Sequence, residues 1–143
     1  MQVAHYSTQK GLPHDIVYSS LKSKDGFLWF GTWFGLSRFD GSRFENYSDA
    51  YTPSSDQPPR KIEWLVEDAL GNLWIKTLDW KLSVLFKQTE RFEDVYDELK
   101  PYTHNLQVIK IQADGTGKVI LLTKDKTLLL AETLKDGSIR IQT

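Results

Sequence analysis

The sequence predicts an all-β fold: a partial β-propeller of about three consecutive four-stranded antiparallel blades. Its main support is a phrase written three times. Asp25-Gly26-Phe27-Leu28-Trp29-Phe30-Gly31-Thr32 recurs as Leu70-Gly71-Asn72-Leu73-Trp74-Ile75-Lys76-Thr77, and in worn form as Thr116-Gly117-Lys118-Val119-Ile120-Leu121-Leu122-Thr123. Trp29 and Trp74 stand 45 residues apart, Thr77 and Thr123 46, a period typical of propeller blades. Each unit is a small sheet that cannot bury both faces alone, so the units must pack on one another. Aromatic residues make up 13% of the chain, which favours sheets stacked face to face.

Every repeat opens on an apolar-alternating strand: Ile16–Leu21, Ile62–Val66 and Val108–Ile111, with Ile16, Ile62 and Val108 taken as equivalent positions. Each strand runs into an Asp- or Gly-containing turn, where Gly accepts positive φ without steric cost. The second strand carries the Leu-Trp core and ends at Thr. Third strands follow at Leu36–Phe39, Leu82–Phe86 and Thr127–Glu132, and fourth strands at Arg43–Tyr47, Arg91–Val95 and Ser138–Gln142. Four short strands joined by tight turns make one blade. The expected division is blade 1 at 1–48, a Pro- and Ser-rich linker at 49–60, blade 2 at 61–95, a linker at 96–105 and blade 3 at 106–143. Phe92, Val95, Tyr96 and Leu99 have helical spacing. The repeat register favours a strand to about Val95, with one helical turn before Pro101.

Composition closes several function classes. A net charge of −1 offers no broad electrostatic case for nucleic acid or an anionic membrane. The absence of cysteine removes disulfides, thiolate nucleophiles and thiolate metal sites. No apolar run approaches bilayer-spanning length. The first residues have neither a basic head nor an apolar stretch, so the expectation is either a cytosolic chain or one that starts after a removed signal.

Gly11-Leu12-Pro13-His14-Asp15-Ile16, the Asp25–Thr32 phrase and Gly35-Leu36-Ser37-Arg38-Phe39-Asp40-Gly41 together resemble the two-component regulator propeller repeat. Repeat two keeps Gly71, Leu73, Trp74 and Thr77, but has Lys76 where the family has Gly and Asp79-Trp80-Lys81 where it has Gly-Leu. Repeat three keeps Gly117, Val119, Ile120 and Thr123. The resemblance implies part of a seven-bladed propeller in the periplasmic sensor region of a hybrid sensor histidine kinase, with a carbohydrate fragment as ligand. It also implies the remaining blades as partners.

The repeat residues Gly26, Leu28, Trp29, Gly31, Thr32, Gly71, Leu73, Trp74, Thr77, Gly117 and Thr123 read as structural, with Trp29 and Trp74 filling the wedge between sheets. Trp33, Phe34, Asp79 and Trp80 lie in the loops where the repeats diverge, and such loops are where a regular scaffold places recognition. They are the candidate ligand-binding residues, against the plainer reading that they cover a blade edge. Arg38 and Arg43 are assigned to solvated strand positions.

No catalytic or metal-binding set emerges, and no cofactor is expected. His5, His14 and His104 lack ligand spacing. Gly115–Val119 fails as a phosphate loop, because Gln112 stands where Gly is required and Val119 where Ser or Thr is. No G-x-S-x-G is present. Glu63 and Glu67, placed on one side of a strand, would be about 13 Å apart, too far for one glycosidic bond. The expectation is a non-enzymatic sensor segment with a possible oligosaccharide ligand, no nucleic acid and no direct membrane contact. It would self-associate through its open blade faces. The alternatives are part of a propeller carbohydrate-active enzyme, or a protein-interaction scaffold.

Overall fold

A computed structural model of the chain describes residue 5 and residues 7–47 and 59–143. Of the linker expected at 49–60, all but Pro59 and Arg60 lies outside the described residues.

The described residues form three four-stranded antiparallel sheets. The first holds β1 (Val17–Lys22), β2 (Leu28–Thr32), β3 (Gly35–Phe39) and β4 (Phe44–Asn46). The second holds β5 (Ile62–Glu67), β6 (Leu73–Thr77), β7 (Leu82–Phe86) and β8 (Arg91–Asp94). The third holds β9 (Val108–Ala113), β10 (Val119–Thr123), β11 (Leu128–Thr133) and β12 (Ile139–Gln142). Strands pair in chain order within each sheet, as up-and-down blades require. The first strands lie side by side, β1 against β5 and β5 against β9, so they form the inner edge of the array. The all-β, partial-propeller expectation is borne out.

One hairpin turn is used three times. Ser23, Asp68 and Asp114 each donate their backbone N–H four residues on, to the carbonyls of Phe27, Asn72 and Lys118. Gly26, Gly71 and Gly117 sit inside these turns at φ of 92°, 84° and 98°, values that favour glycine. The carboxylates of Asp68 and Asp114 also collect loop N–H groups, from Leu70 and Asn72 and from Thr116 and Lys118.

Two cores glue the blades. Trp29, Leu36, Tyr47, Ile62, Leu65, Leu73, Ile75, Leu85 and Phe92 fill the space between the first and second sheets. Trp74, Val84, Val95, Leu99, Ile111, Val119, Leu121, Leu129 and others fill the second junction. Trp29 and Trp74 are almost wholly buried, and burying an indole contributes about 2–4 kcal/mol. Gly31 permits the first junction: a Cβ there would stand 2.5 Å from Ser19 Oγ and overlap Ile62.

Several local expectations are corrected. Val17, not Ile16, is the equivalent of Ile62 and Val108: these three face Thr32, Thr77 and Thr123 across their strand pairs. The first interval, Val17 to Ile62, is 45 residues like that from Thr32 to Thr77, so counting by 46 placed the first repeat one residue early, and a bulge recurs beside each of the three. The fourth strands are shorter than expected, ending at Asn46 and Asp94 and beginning at Ile139. The helical turn is α1 (Tyr96–Leu99). The spacing that suggested a longer helix is split: Phe92 faces the first junction, whereas Val95 and Leu99 enter the second.

Glu63 and Glu67 do not act from one side. The β5 bulge lies between Ile62 and Trp64, and Glu63 binds buried Lys76 at 2.8 Å. Glu67 instead binds Lys87 and the Lys24 backbone N–H. Arg38 is also more than a solvated strand residue: it pairs with Glu45, and its guanidinium lies 4.5 Å from the Phe27 ring centroid.

Candidate functional site

The loops joining second to third strands share one end of the blades. In blade 1 the loop is Trp33-Phe34, closed by Thr32 Oγ1 donating to the Gly35 carbonyl at 2.7 Å. Blades 2 and 3 use a longer loop with a common pattern, Thr77-Leu78-Asp79-Trp80-Lys81 and Thr123-Lys124-Asp125-Lys126-Thr127. In both, the leading Thr N–H donates to the carbonyl four residues on, and the threonine hydroxyl donates to the loop Asp. The fourth position is left-handed in each, Trp80 at φ 66° and Lys126 at φ 67°. A non-glycine residue held there marks a loop whose surroundings over-determine it.

Main-chain hydrogen bonds stitch these loops across the blades. Trp33 N–H donates to Ile16 O at 3.2 Å and Lys61 N–H to Trp33 O at 2.8 Å, and Leu78 N–H donates to Lys61 O at 2.8 Å. The pattern repeats one blade on, with Val108 N–H to Trp80 O at 2.9 Å and Lys124 N–H to Gln107 O at 2.9 Å. Lys61, at φ 53°, is pinned from both sides. The end is therefore a connected platform rather than separate loops.

Three of the four candidate residues are half-exposed aromatics: Trp33 at 36%, Phe34 at 44% and Trp80 at 37%. Each ring has a cation above it. Lys61 Nζ is 5.0 Å from the Trp33 ring centroid, Arg60 Cζ is 5.6 Å from that of Phe34, and Lys124 Nζ is 4.5 Å from that of Trp80. His14 meets Phe34 edge-on at 5.1 Å. A groove of about 280 Å³ opens at Arg60 and Lys61, lined by these two with Pro59, Thr77, Asp79, Lys81 and Ser83. Partial burial pushes the Asp79 carboxyl up. The Thr77 hydroxyl, with Lys81 and Lys61, outweighs this and leaves it below its ordinary value.

Trp33, Phe34 and Asp79 are thus brought together through Arg60 and Lys61, whereas Trp80 stands one junction over, beside Lys124. Sequence reasoning missed Arg60, Lys61 and Lys124. A usable signal existed only for Lys124, in the Thr-x-Asp-x-(Lys/Thr) pattern repeated 46 residues apart in blades 2 and 3.

Packed four-stranded blades with a shared loop platform define a propeller segment. Residues 11–34 match the model of the two component regulator propeller, which bears out the resemblance read from the sequence. The fold is similar to the extracellular domain of BT3049 from B. thetaiotaomicron, described as a hybrid two component system: TM-score 0.73 and 25% identity, covering 95% of this chain and 19% of that one. The extracellular domain of BT4673 from the same organism, also described as a hybrid two component system, gives a TM-score of 0.61 at 24% identity, covering 96% of this chain and 17% of that one. This chain spans about a fifth of those domains. No curated protein matches it. Among the described residues, no helix is long and apolar enough to cross a membrane.

Proposed function

We propose that this chain is a non-enzymatic, ligand-sensing part of the periplasmic region of a hybrid two-component sensor histidine kinase. Its ligand is an oligosaccharide, met at the platform of Trp33, Phe34, Asp79 and Trp80. One observation carries the reading: half-exposed aromatic rings and a polar groove share one end, on loops tied together by main-chain hydrogen bonds. Rings offer apolar faces to sugar C–H groups, and Asp79 and Ser83 offer hydrogen-bonding groups to hydroxyls. Likeness to extracellular domains of two-component systems supports the sensor role. A ligand favouring one of two arrangements of the whole receptor would shift its output by that difference in affinity.

Calorimetric titration of the chain with a library of defined oligosaccharides tests this. We expect at least one to bind, and Trp33→Ala or Trp80→Ala to weaken it about tenfold, or about 1.4 kcal/mol. Failure of every saccharide to bind, or binding indifferent to both tryptophans, would reject the proposal.

A further inference from the structure

The aromatic faces of the platform are not bare, and that bears on what they recognise. A neutral sugar stacks best on an uncovered ring, whereas here Lys61, Arg60 and Lys124 stand over Trp33, Phe34 and Trp80. An ammonium or guanidinium held on a ring keeps outward N–H donors and its full charge.

Among the described residues, Arg60, Lys61, Lys124 and Lys126 enter no ion pair, whereas Lys87, Lys118 and Arg140 of the opposite end do. There Lys87 bridges Asp25 and Glu67, and Lys118 and Arg140 share Glu132. At the platform, Asp79 is engaged by the Thr77 hydroxyl and by Lys81 at 3.7 Å. Asp125 is engaged by the hydroxyls of Thr103, Thr123 and Thr127. The groove sets Arg60, Lys61 and Lys81 against the single carboxylate of Asp79. The left-handed backbone of Lys61, bonded on both sides, holds its ammonium over Trp33.

We infer that the platform recognises an acidic saccharide, one bearing carboxylate or sulfate groups, with Arg60 and Lys61 receiving the anion in the groove. The inference rests on the oligosaccharide reading above and narrows it to a charge class. Trp33 and Phe34 flank the sugar, and Asp79 accepts from its hydroxyls.

The test is calorimetry on the 143-residue chain with three tetrasaccharides of defined length: a neutral hexose oligomer, a tetrauronate and a sulfated tetrasaccharide. We expect at least one acidic ligand to bind about tenfold or more tighter than the neutral one, and to weaken severalfold between about 50 and about 200 mM salt. Arg60→Gln with Lys61→Gln should cost about tenfold or more, Lys61→Arg should largely restore binding, and Lys135→Gln at the opposite end should change nothing. Unchanged melting of the double variant separates lost contacts from lost fold. The tetrauronate and sulfated arms distinguish carboxylate from sulfate. Equal or tighter binding of the neutral oligomer would overturn the inference and leave the oligosaccharide reading standing. Acidic binding indifferent to Arg60 and Lys61 would also overturn it, and no binding in any arm would remove both.

Discussion

The indole nitrogen of Trp74 donates to Oδ2 of Asp68 at 2.9 Å, with both residues sealed from solvent at the junction of blades 2 and 3. The same oxygen accepts from Thr133 Oγ1 at 2.6 Å, and Oδ1 accepts from the N–H groups of Leu70 and Asn72. One carboxylate therefore closes a hairpin turn, orients the core tryptophan and anchors the neighbouring blade. In blade 1, Ser23 takes this place, its hydroxyl accepting from Trp29 Nε1 at 3.2 Å.

Removing that carboxylate should be costly. Asp68→Ala strands several buried donors at once, and we expect a loss of about 3 kcal/mol or more in urea unfolding. Trp74→Phe keeps most of the apolar volume and removes one donor, for an expected loss of about 1–3 kcal/mol. A double-mutant cycle should show strong coupling; additive losses would mean the bond is incidental.

Gly31→Ala should destabilise the chain by about 1–3 kcal/mol, because the new methyl would overlap Ile62 and Ser19 in the first junction. The matching position in blade 2 is Lys76, whose ammonium runs to Glu63 and the Thr77 carbonyl. Blade 2 therefore spaces itself from blade 3 differently. A melting point unchanged by Gly31→Ala would show that this junction yields.

Stability should fall away on the acid side. The hydroxyls of Thr103, Thr123 and Thr127 hold the Asp125 carboxyl well below its ordinary value of 3.8. The unfolded chain then takes up the proton first as pH drops. The contribution is complete above about pH 4 and is lost as pH falls through the folded value. Asp125→Asn should flatten that limb in pH-dependent unfolding. On the alkaline side, burial pushes Tyr47 up to about 12. Its contribution is complete below about pH 10, the unfolded value, and disappears as pH rises through the folded one. Tyr47→Phe should remove that limb, and an unaltered alkaline profile would assign it to another group.

We expect the isolated chain to associate head to tail. On blade 3, Ile120, Leu122, Leu128 and Leu130 occupy the places that Trp74, Lys76, Leu82 and Val84 hold in blade 2, but Leu128 is 63% exposed. On blade 1, half-exposed Leu28 and Phe30 match buried Leu73 and Ile75. A head-to-tail contact leaves one face free at each end until the rotation closes a ring, so mass should rise with concentration. Sedimentation should show this, with Leu128→Glu and Leu28→Lys each suppressing it and the two variants associating when mixed. A monomer across the micromolar range would refute it.

The blade count, the Leu-Trp strands and the buried tryptophans were legible because they rest on local signals: period-two alternation, turn glycines and a repeat near 45 residues. Trp33, Phe34, Asp79 and Trp80 were legible as loop residues that break the repeat. Arg60 and Lys61 were not, since they gain meaning only when Lys61 meets the Trp33 loop of another blade.

The sequence by itself determined what a short window can encode, namely strands, turns and the number of blades. Tertiary structure decided the rest. The bulge that absorbs a residue beside Val17, Ile62 and Val108 appears only once the strands pair. The sharing of Asp68 between Trp74 and Thr133 needs two packed blades. The meeting of cations with aromatic rings at one end depends on main-chain bonds between loops such as Lys61 to Trp33, and no periodicity in a single strand specifies those contacts.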